Sequence, residues 1–121
     1  MRVAYVVLYV TNPDECLKFW IERFGMVEKS KKFAGDVAIV KVGFAEQDFA
    51  LELVPLALMQ HNPGGLDLTT PSMAFHVEDL AQTRENLIVA DVEVSPIADH
   101  GGVESFAFAD NESRWFAVLS N

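Results

Sequence analysis

One order of elements is written twice along this chain, and that repetition constrains the fold more than any single motif. Residues 2–10 form a β-branched and aromatic run that reads as a strand. Asn12-Pro13-Asp14-Glu15 follows. Asn12 suits a helix N-cap, Pro13 the first helical position, and Glu15 sits three residues after the cap. The spacing predicts a helix from Pro13 to Phe24, with Leu17, Trp20, Ile21 and Phe24 on its buried face and Gly25 ending it. Strands are predicted around 26–33, 36–44 and 48–55. Residues 72–77 then begin again as a strand. Asp79 caps a second helix, with Gln82 at capping-box spacing, running to about Ala90 with Leu80, Leu87 and Ile88 inward. Strands around 92–97, 102–109 and 114–119 complete the second half. An offset of 67 residues lays Asn12 on Asp79 and Trp20 on Leu87. Residue identity between the halves is poor; the order strand, helix, strand, strand, strand is what repeats.

The fold class this implies is α+β, one domain over residues 1–121 made of two βαβββ modules, 1–57 and 70–121. A linker over 58–69 contains the breaker cluster Asn62-Pro63-Gly64-Gly65, and residues just before it can extend the last strand or form a short helical turn. A single module has a short sheet with one face needing cover. Two modules side by side predict a curved mixed sheet around a cleft, and a cleft is the natural ligand site.

Charge and cysteine content narrow the function. Nine basic residues against 18 acidic give a formal charge of −9, which argues against nucleic-acid binding. It is compatible with a cationic ligand, and equally with acidic surface that only maintains solubility. No apolar run approaches the roughly 20 residues of a membrane span. Cys16, the only cysteine, rules out an internal disulfide and lies among apolar helix residues as a buried thiol. With no signal-peptide pattern at the N-terminus, the lone cysteine predicts a cytoplasmic protein.

Leu8-Tyr9-Val10-Thr11-Asn12-Pro13-Asp14-Glu15-Cys16-Leu17-Lys18-Phe19-Trp20, closed by Phe24-Gly25-Met26, resembles the opening strand and helix of the vicinal oxygen chelate superfamily. That family holds glyoxalase I, extradiol dioxygenases, fosfomycin resistance enzymes and bleomycin resistance proteins. Phe49-Ala50-Leu51-Glu52-Leu53 resembles its fourth strand, and Met73-Ala74-Phe75-His76-Val77-Glu78-Asp79 the start of its second module. Phe106-Ala107-Phe108-Ala109-Asp110 resembles the strand before the family's Asp-Pro-Asp-Gly turn, which here reads Asp110-Asn111-Glu112-Ser113.

The resemblance maps the family's four metal-ligand positions onto Tyr5, Glu52, Ser72 and Ala117. Only Glu52 keeps a ligating side chain, so no metal and no other cofactor is expected at these positions. A relocated site from His76, Glu52 and His100 is the alternative; otherwise His76 is a hydrogen-bonded wall residue and His61 and His100 lie in solvated loops. Glu52 reads either as a contact to a polar or cationic ligand, or as a remnant paired with a neighbour such as Tyr5. Tyr5, Tyr9, Glu52, Ser72, His76, Glu104 and Trp115 are the expected cleft residues, with the aromatic ones placed to stack on a flat or cationic ligand. No catalytic residue is assigned. The first functional reading is a metal-independent binder like the bleomycin resistance proteins, sequestering a small cationic or aromatic compound. The second is a glyoxalase- or dioxygenase-like enzyme with a divergent metal site. The third is a regulatory or structural dimer. The resemblance also implies a homodimer.

Overall fold

The computed structural model describes residues 1–120, which form two compact units, Met1–Pro71 and Ser72 onward. Each unit has one helix and one four-stranded mixed sheet, the α+β arrangement the repeated element order implies.

The first unit runs β1 (Val6–Val10), α1 (Pro13–Phe24), β2 (Val27–Ala34), β3 (Val37–Gly43) and β4 (Leu51–Pro55), followed by a 3-10 turn at Leu56–Met59. The strand order is β1-β4-β3-β2, with β1 parallel to β4 and the other pairs antiparallel. β1 is shorter than the apolar run suggests because its partner begins only at Leu51, opposite Val6. Asn12 caps α1, its side-chain oxygen accepting from the Glu15 backbone N–H at 3.2 Å. Gly25 ends the helix at φ 72°, and the Gly25 and Met26 N–H groups return to the Ile21 and Trp20 carbonyls.

One sheet face carries Leu8, Val10, Leu51, Leu53, Val40 and Val42, all buried, as are Cys16 and Trp20 of the helix. The alternation along each strand puts Tyr5, Val7, Tyr9, Glu52, Val54, Ile39 and Lys41 on the other face. Ile21, expected inside, is exposed, while Cys16 is buried as expected. The buried stripe follows the i, i+4 line from Cys16 to Trp20, and Ile21 is rotated about 100° off it.

Gly43 ends β3 where the chain passes close to the residues that lead into β4. A Cβ on Gly43 would meet the Phe49 carbonyl oxygen at 2.5 Å and the Lys29 Cε at 3.2 Å. The pairing between β2 and β3 slips between Glu28 and Ser30, and the extra residue, Lys29, donates from its ammonium to the Gln47 and Phe49 carbonyls. Gly43→Ala must therefore push backbone against backbone. It is expected to cost about 1–3 kcal/mol, read as a lower urea midpoint at unchanged m-value; an unshifted midpoint would show that the loop over 44–50 yields freely.

The second unit runs β5 (Ala74–Val77), α2 (Leu80–Val89), β6 (Ala98–His100), β7 (Val103–Ala109) and β8 (Trp115–Ser120), in the order β5-β8-β7-β6. β5 is parallel to β8. Asp79 caps α2 through the Gln82 N–H at 3.0 Å, as Asn12 caps α1. Leu80 and Leu87 are buried; Ile88, expected inward, is exposed. Phe106, Phe108, Phe116 and Val118 form the core of this sheet.

The strand expected over 92–97 is broken in two. Val94 makes a single bridge to Phe108, and regular pairing resumes only at Ala98. Pro96 has no N–H to give to a ladder. At the break, the Ser95 hydroxyl substitutes for backbone and accepts from the Ala107 N–H at 2.8 Å, while Arg84 donates to the Ser95 carbonyl at 2.8 Å.

Candidate functional site

The two halves of the expected ligand set occupy equivalent places within their own sheets. In the first unit Val7 pairs with Glu52, and Tyr5 lies two residues before Val7. In the second Ala74 pairs with Ala117, and Ser72 lies two residues before Ala74. The same step therefore relates Tyr5 to Glu52 and Ser72 to Ala117.

In the first unit, Tyr5, Tyr9 and Glu52 share the face turned away from the α1-side core. Glu52 is 4% exposed in the middle of this face. A carboxylate so placed needs a counter-charge. It has two: the Lys32 ammonium at 3.6 Å and the Lys41 ammonium at 3.7 Å, both from the same Glu52 oxygen. Lys41 lies opposite Glu52 in the β3–β4 register, and its ammonium also sits over the Tyr5 ring at 4.2 Å from the centroid. Tyr5 and Glu52 thus meet through Lys41. The pairing of Glu52 is with two lysines, which leaves the expected contact to a cationic ligand without its carboxylate.

Neither lysine was singled out from the sequence. The signal was present for Lys41, the one charged residue in the otherwise apolar run of β3. Its meaning depends on the β3–β4 register, which sequence spacing does not supply.

In the second unit, Ala74, His76, Trp115, Ala117, Leu119, Ser105 and Ala107 share the face opposite the phenylalanine core. Trp115 is 47% exposed, and His76 and Ser72 are exposed. Glu104, expected with them, stands on the other face: it alternates with Ser105 and follows the parity of Phe106 and Phe108. It pairs across the hairpin with Asp99. His100 lies in β6 opposite Val103, and His61 is exposed after the 3-10 turn.

These donors do not fit a divalent cation. Tyr5, Ser72 and Ala117 offer a phenol, a hydroxyl and a methyl group, and Glu52 already faces two ammonium groups. Among the described residues no three His, Cys, Asp or Glu side chains come together to hold a metal ion. No helix among them is long and apolar enough to cross a membrane.

Comparison with known proteins places this geometry. A family model described as the glyoxalase/bleomycin resistance protein/dioxygenase superfamily matches residues 2–117. No curated protein sequence matches the chain. Among solved structures, a member of that superfamily from Sphaerobacter thermophilus is 14% identical, with a TM-score of 0.84 over 100% of this chain and 98% of the other. TnmS3, an antibiotic binding protein from a Streptomyces species, is 14% identical, with a TM-score of 0.81 over 99% and 95% of the two chains. A lactoylglutathione lyase from Agrobacterium tumefaciens is 15% identical, with a TM-score of 0.75 over 99% and 93%. At these identities the likeness is one of fold.

Proposed function

The chain belongs to the glyoxalase/bleomycin resistance protein/dioxygenase superfamily, and from that membership we propose that it is a metal-independent binding protein that sequesters a small aromatic compound. The observation that carries this is the state of Glu52, the one ligating side chain left at the family's metal positions: it is ion-paired to Lys32 and Lys41. The fold's resemblance to TnmS3 supports a binding role. So does the second unit's sheet, where Trp115 stands exposed on the same face as Ala107 and Ala117. Small side chains leave room for a flat ring, and the indole gives it a stacking surface. The cationic class of ligand loses its main support once Glu52 is paired. The proposal includes a homodimer in the cytoplasm; light scattering on the purified protein tests the first part.

Two measurements decide the reading. Purified protein is expected to carry no stoichiometric Zn, Ni, Mn or Fe by elemental analysis, and bound metal at one equivalent would overturn it. A thermal-shift screen of aromatic antibiotics is expected to give at least one stabilising compound, since a ligand at a hundred times its Kd adds about 2.7 kcal/mol to the folded state. Trp115→Ala should abolish that shift while leaving the ligand-free melting temperature nearly unchanged, because the indole is half exposed. An undiminished shift would take Trp115 out of the site.

A further inference from the structure

We propose that Lys32, Lys41 and Tyr5 form, on the first unit's own sheet face, a recognition site for an anionic oxygen group, a carboxylate or phenolate, of an aromatic compound. In this site the Lys41 ammonium supplies the positive charge that the donor set cannot recruit as a metal ion. The inference rests on the binding function proposed above and names the ligand chemistry of the first unit's face.

The charge distribution is the first support. The chain is strongly acidic, yet four of its five lysines, Lys29, Lys31, Lys32 and Lys41, fall on β2 and β3. β2 is an edge strand, and lysines there also discourage edge-to-edge pairing. That explanation does not reach Lys41, which lies on β3 between β2 and β4. A lysine on an inner strand, facing a buried carboxylate, has another use.

The second support is the balance of charge and of hydrogen bonds. Two ammonium groups flank one carboxylate, so the cluster carries a net positive charge. The separations of 3.6 and 3.7 Å are ion-pair distances, longer than hydrogen bonds. Each ammonium has three N–H donors, and neither spends one on Glu52 at that range. An incoming carboxylate or phenolate oxygen can accept from both lysines in short, charge-assisted bonds. The Tyr5 ring holds the Lys41 ammonium over its face, which lowers the entropy cost of ordering it. Glu52 on this reading moderates the charge of the two lysines and competes with the ligand for them.

The test uses the full chain, labelled with ¹⁵N, and three probes that share a ring system: naphthoate, naphthylmethanol and naphthylmethylammonium. Amide shifts are followed at low ionic strength, where surface charge is least screened. Naphthoate is expected to bind about tenfold tighter than the neutral probe, with the largest shifts on β2, β3 and β4. Lys41→Met should erase that preference, and Lys32→Met should reduce it. Lys32 is largely exposed, so its variant keeps the test alive if Lys41→Met does not fold. Glu52→Gln should tighten naphthoate severalfold, because it removes the competing negative charge.

Equal binding of the neutral probe, or stronger binding of the ammonium probe, would overturn the anion site and leave the aromatic-binding function standing. Weaker naphthoate binding by Glu52→Gln would also overturn it. If no naphthyl probe moves the β2–β4 amides, the anion site falls, and the antibiotic screen alone decides the broader function.

Discussion

Replacing Asp110 by alanine is expected to cost about 3–5 kcal/mol of stability, the scale for breaking a buried ion pair from one side. Asp110 starts the turn between β7 and β8, and its carboxylate is wholly buried. One oxygen accepts from the Glu112 and Arg114 backbone N–H groups, each at 2.9 Å. The other pairs with the Arg114 guanidinium at 3.1 Å. Arg114 also donates to Glu112 at 2.6 Å. Burial opposes the charge of Arg114, but its bonds to Glu112 and Asp110, with their charges, outweigh this and raise its pKa above the ordinary arginine value. Alanine at 110 removes three acceptor contacts at once and takes the Asp110 carboxylate from a largely buried guanidinium. Asp110→Asn, which keeps one oxygen toward the two N–H groups, should lose distinctly less. Urea unfolding of the wild type and both variants gives the comparison. A loss below about 1 kcal/mol for Asp110→Ala, the size of an ordinary hydrogen bond, would mean that the turn holds its shape without the carboxylate.

The same turn shows what the sequence reveals and what it conceals. Its departure from Asp-Pro-Asp-Gly was visible in the residues. That Ser113 nevertheless takes the left-handed conformation, at φ 64°, was not. Backbone shape here is imposed by Asp110 and the hairpin, and a serine can be forced into it at modest cost. Helix caps were legible throughout, because Asn12 and Asp79 act within three residues of themselves. Strand ends were less so. β1 stops where β4 stops, and the break at Ser95-Pro96 depends on bonds to Ala107 on a different strand. Ile21 and Ile88 were misplaced for a related reason. Periodicity says that a helix has an apolar face, while its rotation is set by the sheet it meets.

The candidate site divides along the same line. Parity put Tyr5, Tyr9 and Glu52 on one face of their sheet, and His76 and Trp115 on one face of theirs. Parity also puts Glu104 on the opposite side, once Ser105 is aligned with Leu119. The roles of Lys32 and Lys41 depend on sheet order and register, which bring Lys41 opposite Glu52 and let Lys32 reach it from β2 across β3. They reverse the expected polarity of the first unit's face, from a carboxylate awaiting a cation to a pair of cations around a carboxylate.

The second large effect is expected at the helix positions that the 67-residue offset superposes, Trp20 and Leu87. Both are buried, Trp20 completely and Leu87 at 4% exposure. The Trp20 ring stands edge-on to Phe19 at 5.2 Å and tilted against Phe24 at 5.1 Å. Trp20→Ala should cost about 3–5 kcal/mol, the range for deleting a buried aromatic side chain. Trp20→Leu copies the residue of the other repeat. It should still cost a large part of that, because the two units share a backbone plan and not a core volume. The reverse exchange, Leu87→Trp, has to fit an indole at a buried position of a unit whose buried residues already include Phe106, Phe108 and Phe116. Overpacking of this kind costs about 1–3 kcal/mol. Unfolding of the three variants in urea checks the set. If Trp20→Leu were as stable as the wild type, the repeats would be interchangeable at their cores. The divergence of residues between them would then carry no packing information.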